Sequence, residues 1–192
     1  MKIAICFYGK IGYTHGREFY GDKLDINITY NHLKKHVLEK YSDTDIFIHS
    51  WDIEDEEKLI SVFKPTSIKC EKQKNFGINI NELSINEKND EQNVGAIFRA
   101  TSQTYSVMSS FDLAIENEEK NNFKYDYLIS LRLDTLFLKD LITENLKIDS
   151  INLQRKEKQP ISWSPKLFGY IQSTFIIILN SNLLKNSEYK QI

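Results

Sequence analysis

Arg132-Leu133-Asp134 is a short stretch with the means to handle a charged ligand. A carboxylate at a strand end can hold a divalent cation whose other ligands are diphosphate oxygens. An Arg two residues earlier can pair with that carboxylate or with a phosphate. If the strand runs on through Asp134, period two places both side chains on one side. An internal ion pair and a diphosphate site are then both open readings.

Two further segments carry polar chemistry. The loop Tyr8–Arg17 contains Gly9, Gly12 and Gly16, and such a loop after a first strand can present backbone N–H groups to an anion. Gly9-Lys10-Ile11-Gly12 has the wrong spacing for the dinucleotide fingerprint, and no Gly-Lys-Ser/Thr is present for a Walker loop. A plain strand-to-helix connection is the competing reading. His49-Ser50-Trp51-Asp52 sets a wide aromatic beside polar groups. Trp51 is a candidate to stack on a base or sugar, and equally a core Trp with its N–H satisfied. His32 and His36 are four apart, but no Glu stands at the metalloprotease position, so a solvated helix face is the expectation. His15 has no metal-ligand spacing either. Arg99, Gln103, Ser106 and Ser110, spaced four, three and four, share one helix face that meets either a cleft or water.

These groups need a scaffold that brings them together. Ile3–Phe7 is a continuous apolar run and reads as a buried strand feeding the glycine loop. Tyr30, Leu33, Val37 and Tyr41 predict a helix over Ile28–Lys40. Thr44–Ser50 reads as a second strand. Glu54–Phe63 reads as a short helix with an acidic first turn, ending before Pro65. Ser67–Glu71 is a third strand. Lys72–Glu91 is polar, without period, and reads as a surface loop. A long helix follows over Asn93–Glu118, with Val94, Ile97, Thr101, Tyr105, Met108, Phe111 or Asp112, and Ile115 as its apolar stripe. Tyr127–Leu131 is a fourth strand, ending at Arg132. Strands alternating with helices predict an α/β protein with a mainly parallel sheet flanked by helices. Ligands gather at the carboxyl ends of such strands. Tyr8–Arg17, His49–Asp52 and Arg132–Asp134 all fall there.

Composition narrows the partners. With 25 Lys+Arg against 27 Asp+Glu, the net charge is -2, which argues against nucleic-acid binding by phosphate neutralisation. Cys6 and Cys70 are too few for a disulfide framework or a four-cysteine zinc site. Phe175–Leu179 is far shorter than the roughly 20 apolar residues of a membrane span, and the chain reads as cytoplasmic. Asn (16), Ile (25) and Lys (21) are abundant, while Arg occurs only at 17, 99, 132 and 155. Arg offers a planar fork that Lys cannot copy, so each Arg is a candidate for a geometric role.

Four segments, taken in order, resemble a family of bacterial polysaccharide-biosynthesis glycosyltransferases of the kind encoded in capsule and lipopolysaccharide gene clusters. They are Ile3–Gly12, Asp43–Trp51, Arg99–Ser106 and Phe123–Phe137, and the resemblance covers roughly residues 1–140. It implies a Rossmann-like, GT-A-like fold that binds a nucleotide-sugar donor and transfers the sugar to a glycan or lipid-linked acceptor. It places Asp134 as the carboxylate facing a divalent cation, Mn2+ or Mg2+. Arg132 stands where the common Asp-x-Asp motif has its first Asp, and is an alternative neutraliser of the diphosphate. Arg17 and Arg99 are the other expected diphosphate contacts. Tyr8, Gly9, Gly12, Trp51 and Gln103 are the expected nucleotide contacts.

Members of that family continue well past the motif, whereas about 55 residues follow Phe137 here, so a short, truncated or non-catalytic member is the rival expectation. Residues 1–150 carry 19 basic and 25 acidic groups, net -6, and are read as the nucleotide-sugar-binding domain. Residues 151–192 carry 6 and 2, net +4, and are read as a basic C-terminal segment, a short acceptor part. Such a segment either sits in solvent or holds the protein peripherally at the anionic inner face of the membrane.

Overall fold

The computed structural model describes residues 1–14, 21–77, 91–143, 152–154 and 176–179, the backbone alone for 91–94, 152–154 and 176–179. Gly16, Arg17, most of the Lys72–Glu91 loop and most of segment 151–192 lie outside the described residues.

The first strand, β1 (Ile3–Gly9), is apolar throughout because both of its faces are covered. It pairs in parallel with β2 (Thr44–Ser50) on one side and with β4 (Tyr127–Arg132) on the other. β3 (Ser67–Cys70) pairs in parallel with the far side of β2. β6 (Ile176–Leu179) adds antiparallel to β4, and β5 (Asn152–Gln154) antiparallel to β6. The order is β3-β2-β1-β4-β6-β5. The expected α/β class, with four parallel strands and flanking helices, is therefore present.

The two faces of β1 divide by period two. Ile3, Ile5 and Phe7 pack with Leu33 of α1 (Ile26–Leu33) and with Leu59 and Phe63 of α2 (Glu56–Phe63). Ala4, Cys6 and Tyr8 pack with Val107, Phe111 and Ala114 of α3 (Glu91–Asn121). Asp25 caps α1 by accepting the Asn27 N–H at 3.0 Å. α1 then widens into a π-turn over Lys34–Leu38, where a plain helix to Lys40 is predicted. The extra width lets the His36 carbonyl accept the Leu141 N–H at 3.0 Å, a bond from outside the helix. α2 follows a 3-10 turn, Ile53–Asp55, and closes on Lys64 at φ 46° before Pro65.

α3 is rotated relative to the apolar stripe predicted for it. Its buried face is Ser102, Ser106, Val107, Ser110, Phe111, Ala114 and Glu118, while Met108 is exposed. The cause lies on the sheet. β1 offers Ala4 and Cys6 there, so a helix face of small residues can approach closely and fill the space. Burying Val107 and Phe111 contributes roughly 1.5–3 kcal/mol each. The far end of α3 is tied down by Glu118, whose carboxylate accepts the Tyr125 N–H and the Lys124 ammonium, both at 2.8 Å. No helix among the described residues is long and apolar enough to cross a membrane.

Candidate functional site

The chain steps from β1 to β2 to β3 in one direction, then returns to place β4 on the other side of β1. That reversal separates the loops leaving β1 and β4, and the crevice at their carboxyl ends is where open α/β sheets take ligands. Tyr8 and Arg132 are register partners at this end.

β4 stops at Arg132, and a turn closed by the Thr135 N–H to the Arg132 carbonyl (3.1 Å) folds Asp134 back. Arg132 then grips Asp134 as a fork, Nε to Oδ1 and Nη2 to Oδ2, both 2.7 Å. The Asp134 hydrogen bonds, set against the cost of burial, raise the Arg132 pKa. Asp134 is buried, whereas the Arg132 side chain keeps 32% exposure. The ion-pair reading is thus realised. Nη1 of Arg132 has no acceptor among the described residues, and it is the part of the fork a ligand could use. Leu133 points into the core below.

The β1 loop comes back over this turn. The Leu24 N–H donates to the Gly12 carbonyl at 2.8 Å, and the Thr14 N–H to the Asp22 carbonyl at 3.0 Å, so the loop's two arms run beside each other. A Cβ on Gly12 would lie 2.9 Å from Asp134 Oδ2 and 2.9 Å from Leu24 Cδ1, which explains a glycine here. Gly9 has φ +93°, a conformation side chains resist. Its carbonyl accepts the Trp51 N–H at 3.1 Å. Asp52 accepts the Ile11 N–H at 2.7 Å, and burial of that carboxyl raises its pKa against the pull of this bond.

The Gly9 and Ile11 N–H groups of the loop, which a glycine loop can offer to an anion, are therefore committed inside the protein. Gly9 N–H donates to Ser106 Oγ at 2.9 Å. Ser106 Oγ lies 2.7 Å from His49 Nδ1, and His49 Nε2 lies 3.0 Å from Glu71 Oε1. Burial acts against charge on Glu71, but hydrogen bonds from His49, Tyr105 and Lys69 outweigh it and hold its pKa down to about 2. The carboxylate only accepts, so Nε2 carries the proton. Burial holds His49 neutral, below its usual 6.5. Nδ1 then accepts from the Ser106 hydroxyl. One polarised line runs Gly9 N–H, Ser106, His49, Glu71, joining β1, α3, β2 and the end of β3. Ser106 is fully buried and already accepts a backbone N–H, so this Ser–His–Glu line orients the β1 loop and does not present a nucleophile.

Sequence reasoning placed Ser106 on a polar stripe and missed this line. The available signals were His49 facing α3 by alternation along β2 and a small polar residue opposite it.

The remaining predicted residues divide. Gln103 donates to the Tyr8 hydroxyl at 3.2 Å, so these two nucleotide candidates meet beside Arg132. Burial raises the Tyr8 pKa, and the Arg132 charge opposes that shift. Arg99 is exposed one turn earlier on α3, with Nη1 3.2 Å from where a Cβ on Gly95 would sit. Trp51 is only 7% exposed. Its ring stacks on Tyr105 at 5.5 Å and meets His49 and Phe76 edge-on, so it is a member of an aromatic cluster and not an open platform. Lys69 and Lys74 lie over Tyr105. Arg17 lies outside the described residues.

A divalent cation needs several oxygen ligands. Among the described residues no three His, Cys, Asp or Glu come together to hold one. Asp134, the expected ligand, spends both oxygens on Arg132. The described structure places Asp134 as the partner of an internal ion pair, and the cation expected beside it would draw its other ligands from the diphosphate and not from a protein cluster. The chain matches no protein-family model, and it has no significant match among curated proteins or solved structures.

Proposed function

We propose that the chain is a glycosyltransferase with a Rossmann-like, GT-A-like nucleotide-sugar site at the β1/β4 crevice. It moves a sugar from a nucleotide-diphosphate donor to a glycan or lipid-linked acceptor in surface-polysaccharide biosynthesis. One observation carries the reading. Arg132, oriented by Asp134 and partly exposed, stands beside Tyr8 and Gln103 at the reversal point of a parallel sheet. A guanidinium held by a buried carboxylate does not need to reorganise when a ligand arrives. Its remaining N–H groups can stabilise negative charge as it grows on a leaving diphosphate. Tyr8 and Gln103 supply polar contacts next to it.

Calorimetry with UDP, GDP and CMP sugars, with and without Mn2+, tests the binding step. The expected result is saturable binding of one donor class, weakened at least tenfold by Arg132→Lys, which keeps charge and loses the fork. Folded protein that binds none of the donors would overturn the proposal. A second reading, a nucleotide-binding module without transfer, draws on the engagement of both Asp134 oxygens. Donor binding without sugar release or transfer across a broad acceptor panel would decide for it.

A further inference from the structure

On the other flank of α3 from the crevice, two ammonium groups converge on one tyrosine. Gln103 reaches over β1 to Tyr8, while Tyr105, two residues on, meets His49 of β2 edge-on and lies beneath Lys69 of β3. Lys69 Nζ lies 3.4 Å from the Tyr105 hydroxyl and 3.3 Å from Glu71 Oε1. Lys74 Nζ donates to the same hydroxyl, and it lies 3.6 Å from Glu71 Oε2 and 4.2 Å from the Tyr105 ring centroid. Phe76 and Phe98, both half-buried, continue this surface. The Phe76 centroid is 5.7 Å from that of Tyr105 and 5.9 Å from that of Phe98.

The group is held in place by the protein itself. Trp51 stacks on Tyr105, Glu71 accepts from His49 at 3.0 Å, and Gln73 Nε2 donates to Ser102 Oγ at 2.9 Å. These contacts pin the residues after β3 to α3, so a ligand has less to order on arrival. An ammonium has three N–H donors. Among the described residues each lysine has two contacts here, to Glu71 and to Tyr105, which leaves each a third donor. The two side chains are 44% and 43% exposed. One carboxylate stands against two ammonium groups, so one positive charge is left over. Across Lys69–Lys74 three lysines stand against Glu71, net +2, within a region 1–150 whose net is -6.

An oxyanion bridging two ammonium groups makes short, charge-assisted hydrogen bonds to both. The charge left by the converging pair is one, the charge of a carboxylate. The rings beside it have electron-rich faces, against which the C–H face of a pyranose packs while its hydroxyls stay in water. We propose that Lys69 and Lys74, with Phe76, Phe98 and Tyr105, bind an acidic sugar unit of a glycan. Its carboxylate lies on the lysines and its ring on the aromatic shelf. The choice of a glycan rests on the glycosyltransferase reading. The site adds to that reading that the acceptor is anionic and is held on the β2/β3 flank of α3, apart from the donor crevice at β1 and β4.

The test is calorimetry on the full chain with two acidic probes, tetragalacturonate and a hyaluronan tetrasaccharide. Maltotetraose, inorganic phosphate and single-stranded DNA serve as comparisons. The expected result is saturable binding of at least one acidic probe, about tenfold tighter than maltotetraose. Mass mapping should then show Lys69 and Lys74 protected from acetylation by the bound probe. Lys69→Gln and Lys74→Gln each keep an N–H donor and lose the charge. Each should weaken the acidic probe by about fivefold or more, with a circular dichroism spectrum like that of the wild type. Folded wild type that binds neither acidic probe, or binds maltotetraose equally well, would overturn the proposal. So would affinity that survives both Gln substitutions, or tighter binding of phosphate or DNA, which would make this a plain anion or nucleic-acid surface. The donor titration is read separately. Donor binding without acidic-sugar binding removes this site alone, whereas acidic-sugar binding without any donor binding keeps the site and removes the transferase reading.

Discussion

Removing the Ser106 hydroxyl tests whether the buried line from Gly9 to Glu71 holds the β1 loop in place. In Ser106→Ala two buried groups lose their partner at once. The Gly9 N–H loses an acceptor at 2.9 Å and His49 Nδ1 loses a donor at 2.7 Å. Leaving a buried polar group unsatisfied costs roughly 1–3 kcal/mol, so the pair costs about 2–6 kcal/mol. A typical domain has about 5–15 kcal/mol of stability, so the variant should fold. Equilibrium urea unfolding at pH 7.5 reads the cost as a lowered midpoint at unchanged m-value.

The pH dependence supplies a second readout. His49 is held neutral in the fold, below its ordinary 6.5. The unfolded chain therefore binds more protons between the folded and unfolded pKa values. Wild-type stability is complete above about 6.5 and declines as pH falls below it. Without the Ser106 hydroxyl, Nδ1 accepts a proton more readily, so the gap between variant and wild type should narrow as pH falls. A loss below about 0.5 kcal/mol at pH 7.5, or a gap that does not change with pH, would refute the line as a stabilising unit.

Gly12→Ala forces a methyl against Asp134 and Leu24, where contacts of 2.9 Å cannot stand. Overpacking of this kind costs about 1–3 kcal/mol, and a Tm equal to wild type would show that the loop yields freely. Glu118→Ala leaves the buried Tyr125 N–H without its acceptor. Urea unfolding should show a loss of about 1–3 kcal/mol, with the Lys124 ammonium, which is partly exposed, returning to water. Glu71 is ionised in the fold down to about 2, against an ordinary 4.5. Its contribution to stability is present above about 4.5 and is lost as pH falls toward about 2. Glu71→Gln should flatten an acid titration followed by circular dichroism over that window, and an unchanged acid limb would remove Glu71 from the account.

Several elements are legible in the residues because they answer to local rules. Ile3–Phe7 is an uninterrupted apolar run and Tyr127–Leu131 is broken only by Ser130, which is how strands covered on both faces read. α2 stops at Lys64 because Pro65 follows. The four arginines stood out by scarcity alone, and Arg132 does adopt a bidentate geometry. The convergence of the β1, β2 and β4 ends also followed from strand–helix alternation, since parallel strands share one carboxyl edge.

Other features depended on partners distant in the chain. The rotation of α3 is set by Ala4 and Cys6, about a hundred residues away, whose small size admits Ser106 and Ser110 to the interface. Trp51 became a cluster member because Tyr105 supplied a ring to stack on. Two N–H groups of the glycine loop are taken up by Ser106 and Asp52, a use that loop composition alone does not reveal. The ion pair expected between Arg132 and Asp134 along a continuing strand forms instead across the turn closed at Thr135, which ends β4 at Arg132. The sequence by itself determined the α/β class, the strand ends and the supply of polar groups, because periodicity and side-chain type act locally. Only the tertiary structure decided which of those groups remain available to a ligand, because a hydrogen-bonding group is spent by whichever partner the fold brings nearest.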